Sequence, residues 1–197
     1  MNKTYIIGGV VVLLLLVVGF FVFQQFQNDR TVAVTVNQLI DRPDLEFGFS
    51  YPSGEAGLSL VEPPAGEGNL LGAFLLFPTD SYIEYQNEEG AETPASISIF
   101  VFAEDDSDSE SGRITRLQNW ASDNSALTKY DLALNTPDIV EVDGVKAIRY
   151  DAEGVYPQTI YLASYTGRIY MFVGQFEEDG DYLDTTFGEV ISAVTFY

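Results

Sequence analysis

Residues 96–121 read SISIFVFAEDDSDSESGRITRLQNWA, and this run changes period halfway along. In the first part Ile97, Ile99 and Val101 alternate with Ser98, Phe100 and Phe102, the two-residue repeat of a β-strand with one face in a core. After the acidic loop, Ile114, Leu117, Trp120 and Ala121 recur at three- and four-residue spacing, the pattern of a helix with one buried stripe running on to residue 127.

The signals on either side agree. Residues 45–51 (LEFGFSY) alternate before a turn at Pro52-Ser53-Gly54. Residues 58–61 (LSLV) form a second strand, and 70–77 (LLGAFLLF) a third, apolar enough to be central. The short run 82–86 (YIEYQ) reads as a fourth strand, and 31–36 (TVAVTV), rich in β-branched residues, as an early edge strand. Downstream, 139–142 and 145–151 flank Asp143-Gly144, a strong hairpin signal. A further hairpin joins 158–164 to 168–175 across Tyr165-Thr166-Gly167. Leu183, Phe187, Val190 and Ile191 then share one face of a helix over 181–193, with Asp181 placed to cap it. The fold class expected is α+β, a mainly antiparallel sheet flanked by helices.

Composition removes whole classes of function. The 197 residues carry 30 Asp and Glu against 9 Lys and Arg, a net charge of -21, with no Cys and no His. Such a chain repels phosphate backbones, so no nucleic-acid partner is expected. There is no disulfide framework, no thiol nucleophile, no Ser-His-Asp triad and no imidazole metal ligand. Asp29, Lys3 and Arg30 are the charges before residue 31, so residues 31–197 hold 29 acids and 7 bases. The acidity belongs wholly to that part. A cation, a partner, or solubility in a salt-rich habitat would each account for it.

Residues 5–23 (YIIGGVVVLLLLVVGFFVF) contain no charge. As a helix they would extend roughly 28 Å at about 1.5 Å per residue, close to the hydrocarbon thickness of about 30 Å. The run exceeds a secretory apolar region and ends in bulky residues where a peptidase needs small ones, which favours an uncleaved signal anchor. No Cys is present to carry a lipid. Lys3 before the segment, against Arg30 beside Asp29 after it, favours a cytoplasmic N-terminus. The expected organisation is a short cytoplasmic tail (1–4), a transmembrane anchor (5–23) in the lipid bilayer of the cell membrane, a polar stalk (24–30) and an extracytoplasmic domain (31–197).

Several short motifs support a family resemblance. They are Phe47-Gly48-Phe49-Ser50-Tyr51-Pro52, the strand and helix of 96–121, and Val142-Asp143-Gly144-Val145-Lys146-Ala147. Gly167-Arg168-Ile169-Tyr170 completes the set, followed by the closing run from Phe187 to Phe196, in which Thr195 stands where Ser is usual. In this order they resemble the PsbP-like superfamily, named for an extrinsic subunit of photosystem II, and they cover most of residues 45–197. The resemblance implies an α-β-α sandwich in an extracytoplasmic, non-catalytic accessory protein. Glu55 and Ala56 replace the bulky residue often found after the Tyr-Pro turn, and the His-containing metal sites of plant members have no counterpart here.

Candidate chemistry is sparse. Asp105, Asp106, Asp108 and Glu110 form a dense carboxylate loop of the kind that holds extracellular calcium weakly, at roughly 0.1–1 mM. Counted from Asp106 as an EF-hand, positions six and twelve are Ser111 and Leu117 instead of Gly and Glu, so that motif is absent. Residues 177–181 (EEDGD) are a second acidic cluster; a solvated loop accounts for either one. Paired carboxylates on cell-surface glycans would be the rival, enzymatic reading. No catalytic residue and no other cofactor site is assigned. Aromatics crowd the C-terminal strands, and Tyr156, Tyr161 and Tyr165 are the candidate contacts for a protein partner or envelope component, with core packing as the alternative use.

Overall fold

The computed structural model describes residues 35–64, 68–104, 112–178 and 180–197. The anchor, the stalk, residues 31–34 and the carboxylate loop from Asp105 to Glu110 lie outside the described residues. Among the described residues no helix is long and apolar enough to cross a membrane.

The strands are β1 (Val36–Arg42), β2 (Phe47–Ser53), β3 (Leu58–Val61), β4 (Leu70–Pro78) and β5 (Ile97–Ala103), followed by β6 (Asp138–Val142), β7 (Val145–Ala152), β8 (Gln158–Tyr165), β9 (Arg168–Gln175) and β10 (Thr195–Phe196). The helices are α1 (Thr79–Asn87), α2 (Arg113–Asp123), α3 (Ser125–Thr128) and α4 (Tyr182–Ser192). One sheet runs in the order β1-β2-β3-β4-β5-β9-β8-β7-β6, with β10 added to β2. Every pairing is antiparallel except a single parallel one, Ser53 with Leu58.

Both C-terminal hairpins close through two residues of positive φ, Asp143 (47°) with Gly144 (73°) and Thr166 (46°) with Gly167 (72°). That is the twist-matched geometry favoured for tight hairpins. It sets the register so that Ala147, Ala163, Tyr170 and Phe172 share one face with Ile99 and Val101.

That face is covered by α4 and by the β1–β2 ribbon. Strand β2 meets β3 only at Ser53, then crosses the sheet so that Phe47 lies 5.6 Å from Phe74 and 5.4 Å from Tyr170, ring to ring. Leu183, Phe187 and Val190 of α4 are buried beside it. Gly174 makes the close approach of α4 possible, because a Cβ there would sit 2.6 Å from the rings of Phe176 and Phe187. The opposite face is covered by α2 and α3. Leu117 and Ala121 are fully buried over Ile148, Ile160 and Met171, and Trp120 packs 5.2 Å from Phe102. Two helical layers enclose the sheet, so the domain is α+β as expected.

Two details differ from the sequence reading, and the edge strand expected over 31–36 is described only from residue 35. Residues 82–86 belong to helix α1, not to a strand. Both edges of β4 are already taken by β3 and β5, and Tyr82 folds back to stack on Phe77 at 5.1 Å. A five-residue alternation also fits little more than one helical turn. The helix after the acidic loop breaks at Asn124, whose side-chain amide donates to the Trp120 carbonyl at 2.9 Å, so α2 and α3 are separate. The edge strand β1 begins at Val36, the last residue of the run expected to form it.

Two buried tyrosines tie the layers together. The Tyr150 hydroxyl donates to the Thr128 carbonyl (2.9 Å), and Tyr170 donates to that of Leu45 (2.8 Å). Burial pushes the Tyr170 hydroxyl up to about 12 and raises that of Tyr150 well above its ordinary value. Both groups are therefore favoured in their protonated form by folding. Their contribution is complete below the unfolded value of about 10 and is lost as pH rises toward the folded one. The expected result is a domain that weakens above pH 10, with two tyrosines ionising only as it unfolds. Absorbance at 295 nm recorded alongside circular dichroism checks this; full ionisation near pH 10 in a still-folded domain would contradict it.

Candidate functional site

The strands define two ends with different chemistry. At one end β1–β2, β6–β7 and β8–β9 turn, β5 finishes and β9 begins. Here bases and acids are paired. Arg42 grips Asp44 (2.7 Å) and reaches Glu62 (3.2 Å), and Arg168 pairs with Glu46 (2.9 Å). Glu46 and Thr166, both held at positive φ, meet through a hydrogen bond from the Thr166 hydroxyl to the carboxylate. That bond, with the Arg168 guanidinium, holds the Glu46 carboxyl below its usual range; Arg42 does the same for Asp44. Glu104, at the exit of β5, accepts from Ser164 (2.6 Å) and faces Arg116 (3.6 Å). These contacts lock a corner of the fold.

The other end carries the concave surface. A cavity of about 490 Å3 opens beside Arg149, Asp151, Thr159 and Asp184. The Asp151 carboxylate there accepts from Arg149 on its own strand (2.8 Å), from Thr159 of β8 (2.8 Å) and from Asn135 in the connection before β6 (3.2 Å). A second cavity, about 510 Å3, lies between the β7–β8 connection and the chain leading into β5, and is lined by Glu92, Pro94, Val155, Tyr156 and Gln175. A third, about 250 Å3, shares Pro94 and continues past Tyr182 and Leu183 to Glu177 and Asp181. A fourth, about 710 Å3, is a trough between β2 and α4 beside Tyr51, Gly188 and Ser192.

The tyrosines singled out in the sequence are spread along one strand. Tyr156 precedes β8 and donates to the Thr93 carbonyl at 3.4 Å. Tyr161 meets the Phe187 ring edge-on at 5.7 Å, and Tyr165 lies against Phe196 at 5.2 Å. Nine residues of extended chain separate the first from the last, roughly 30 Å. All three are half-buried against the core under α4, and of them Tyr156 lines a cavity described above.

In the cluster at 177–181, the Asp181 carboxylate caps α4 by accepting from the Asp184 amide (2.8 Å) and also takes the Glu177 amide (2.9 Å). Asp184 in turn accepts from the Gly180 amide at 2.9 Å. These oxygens are engaged by backbone donors. Among the described residues no group of three or more Asp or Glu is placed to hold a metal ion; Asp105, Asp106, Asp108 and Glu110 are outside them.

The concave end was not legible as a site, because its walls come from connections far apart in sequence. Arg149 and Asp151, two apart on one strand, were the available signal.

No family model matches the chain, and no curated protein matches it. Among solved structures, the solution structure of cyanobacterial PsbP (CyanoP) from Synechocystis sp. PCC 6803 aligns over 85% of this chain and 96% of that one, with TM-score 0.54 and 14% identity. A crystal structure from Bacteroides thetaiotaomicron VPI-5482 aligns over 81% of this chain and 48% of that one, with TM-score 0.43 and 15% identity. The domain has the PsbP-like fold.

Proposed function

We propose that the chain is a single-pass membrane protein whose PsbP-like domain lies outside the cytoplasm and holds a protein partner or envelope component without catalysis. One observation carries this: an uncharged segment of membrane-spanning length precedes a domain that lacks Cys and His and whose concave end is walled by Pro, Val and Tyr. Of the carboxylates that line cavities, Asp151, Asp181 and Asp184 are tied to donors within the protein, which supports a fixed binding surface. Glycoside hydrolysis would instead need two carboxylates set on either side of a bond.

The test is purification of the tagged full-length chain from its own membranes in mild detergent. A defined protein should co-purify, and Tyr156→Ala should reduce its recovery several-fold while the unfolding midpoint stays within a few degrees. Hydrolysis of isolated cell-wall glycans, abolished by a single Asp→Asn or Glu→Gln change, would replace this reading with the enzymatic one.

A further inference from the structure

We infer that the two adjoining clefts at the concave end receive an extended, Lys/Arg-rich segment of the partner protein. This rests on the partner-binding reading above and specifies where and by what chemistry the partner is held.

The first ground is shape and polarity. Pro94 forms a wall common to both clefts, so they adjoin, with Val155 and Tyr156 on one side of it and Tyr182 and Leu183 on the other. Val155 is 90% exposed and Tyr182 45% exposed. Val155 on its short connection gains almost nothing from the core, and Tyr182 in a helix's first turn leaves nearly half its surface open. A partner's chain laid between them would cover both.

The second ground is charge. Every ionisable group of the two linings that bears charge at neutral pH is an acid: Glu92 in one, Glu177 and Asp181 in the other. Four connections at this end, residues 54–57, 79–96, 153–157 and 176–181, contain no Lys or Arg; a fifth, leading into β6, carries Lys129. Glu55, Glu92, Glu153, Glu177 and Glu178 are exposed there. By contrast, five of the seven bases after residue 30 (Arg42, Arg113, Arg116, Lys146 and Arg168) lie at or within about a turn of the opposite end. The bases are thus gathered away from the two clefts, whose linings carry acid alone, and an acidic surface beside apolar walls selects a cationic ligand and speeds its capture.

The same facts argue against other occupants. Anionic lipid and nucleic acid are repelled. A second copy would have to offer its basic end, where three of the five bases, Arg42, Arg116 and Arg168, are already engaged with Asp44, Glu62, Glu104 and Glu46. Arg149 is paired with Asp151, and Lys129 donates to the Ala126 carbonyl.

The experiment places benzoylphenylalanine at position 155, or at 39 on the edge of β1, or at 139 on the edge of β6, in the full-length chain. Cells or intact membranes are irradiated and the crosslinked partner peptide is sequenced by mass spectrometry. The expected adduct forms from position 155, on a segment enriched in Lys and Arg. Its yield falls with 0.5 M NaCl. The combined Glu92→Gln, Glu153→Gln and Glu177→Gln change lowers it about tenfold, the product of three exposed charge contacts each worth about two- to threefold. That variant keeps its unfolding midpoint. An adduct from position 39 or 139 and none from 155 leaves the partner-binding reading intact and overturns this assignment. So does an adduct from 155 with lipid, or with a segment lacking basic residues. No protein adduct from any position overturns both.

Discussion

Phe47→Ala should destabilise the domain by about 3–5 kcal/mol, the range for emptying a buried aromatic site. Phe47 is fully buried and has Phe49, Phe74 and Tyr170 as ring neighbours within 5.8 Å. Those neighbours belong to β2, β4 and β9, so the side chain joins the ribbon to strands on both sides of β5. Backbone pairing cannot make up the loss, because β2 holds to β3 at one residue pair and to β10 at two. Leu39→Ala, on the outer strand at 69% exposure, should stay within about 0.5 kcal/mol. Urea unfolding of the two variants makes the comparison. A cost below about 1 kcal/mol for Phe47→Ala would mean that the β1–β2 ribbon does not pack on the sheet as described.

Leu117→Ala tests the opposite face and should cost about 2–5 kcal/mol. Leu117 and Ala121 are the fully buried residues of α2, and its N-cap, Gly112, adds no side-chain capping bond. The chain's single Trp reports the outcome directly. Trp120 lies one turn along the same helix, against Phe102, so its fluorescence should shift to the red at lower urea in the variant. A variant with unchanged midpoint would place α2 off the sheet and remove one layer of the sandwich.

What the sequence revealed, and what it hid, follows from how local each determinant is. Asp143-Gly144 and Thr166-Gly167 announced their hairpins because positive φ is written in the turn residues themselves. The stripe of Leu183, Phe187 and Val190, with Asp181 ahead of it, marked α4 and its cap to within a residue. Helix α1 was misread because its type is decided by neighbours: β4 had no free edge for another strand. The extent of strand β1 past Val36 was hidden because Asn37, Gln38 and Asp41 dilute its alternation on an exposed edge. The concave end was hidden for a further reason. Pro94, Val155 and Asp181 come together only once β5, β8 and β9 are in register, and no periodicity encodes that meeting.

The central claim is that this domain acts by holding a partner. It is tested most directly by the native mass of the full-length chain extracted from its own membranes, measured before and after chemical crosslinking. The account predicts a discrete species heavier than the chain by a reproducible protein component, which dissociates as salt is raised. A lone chain in both measurements, with no added protein component at any ionic strength, would contradict it.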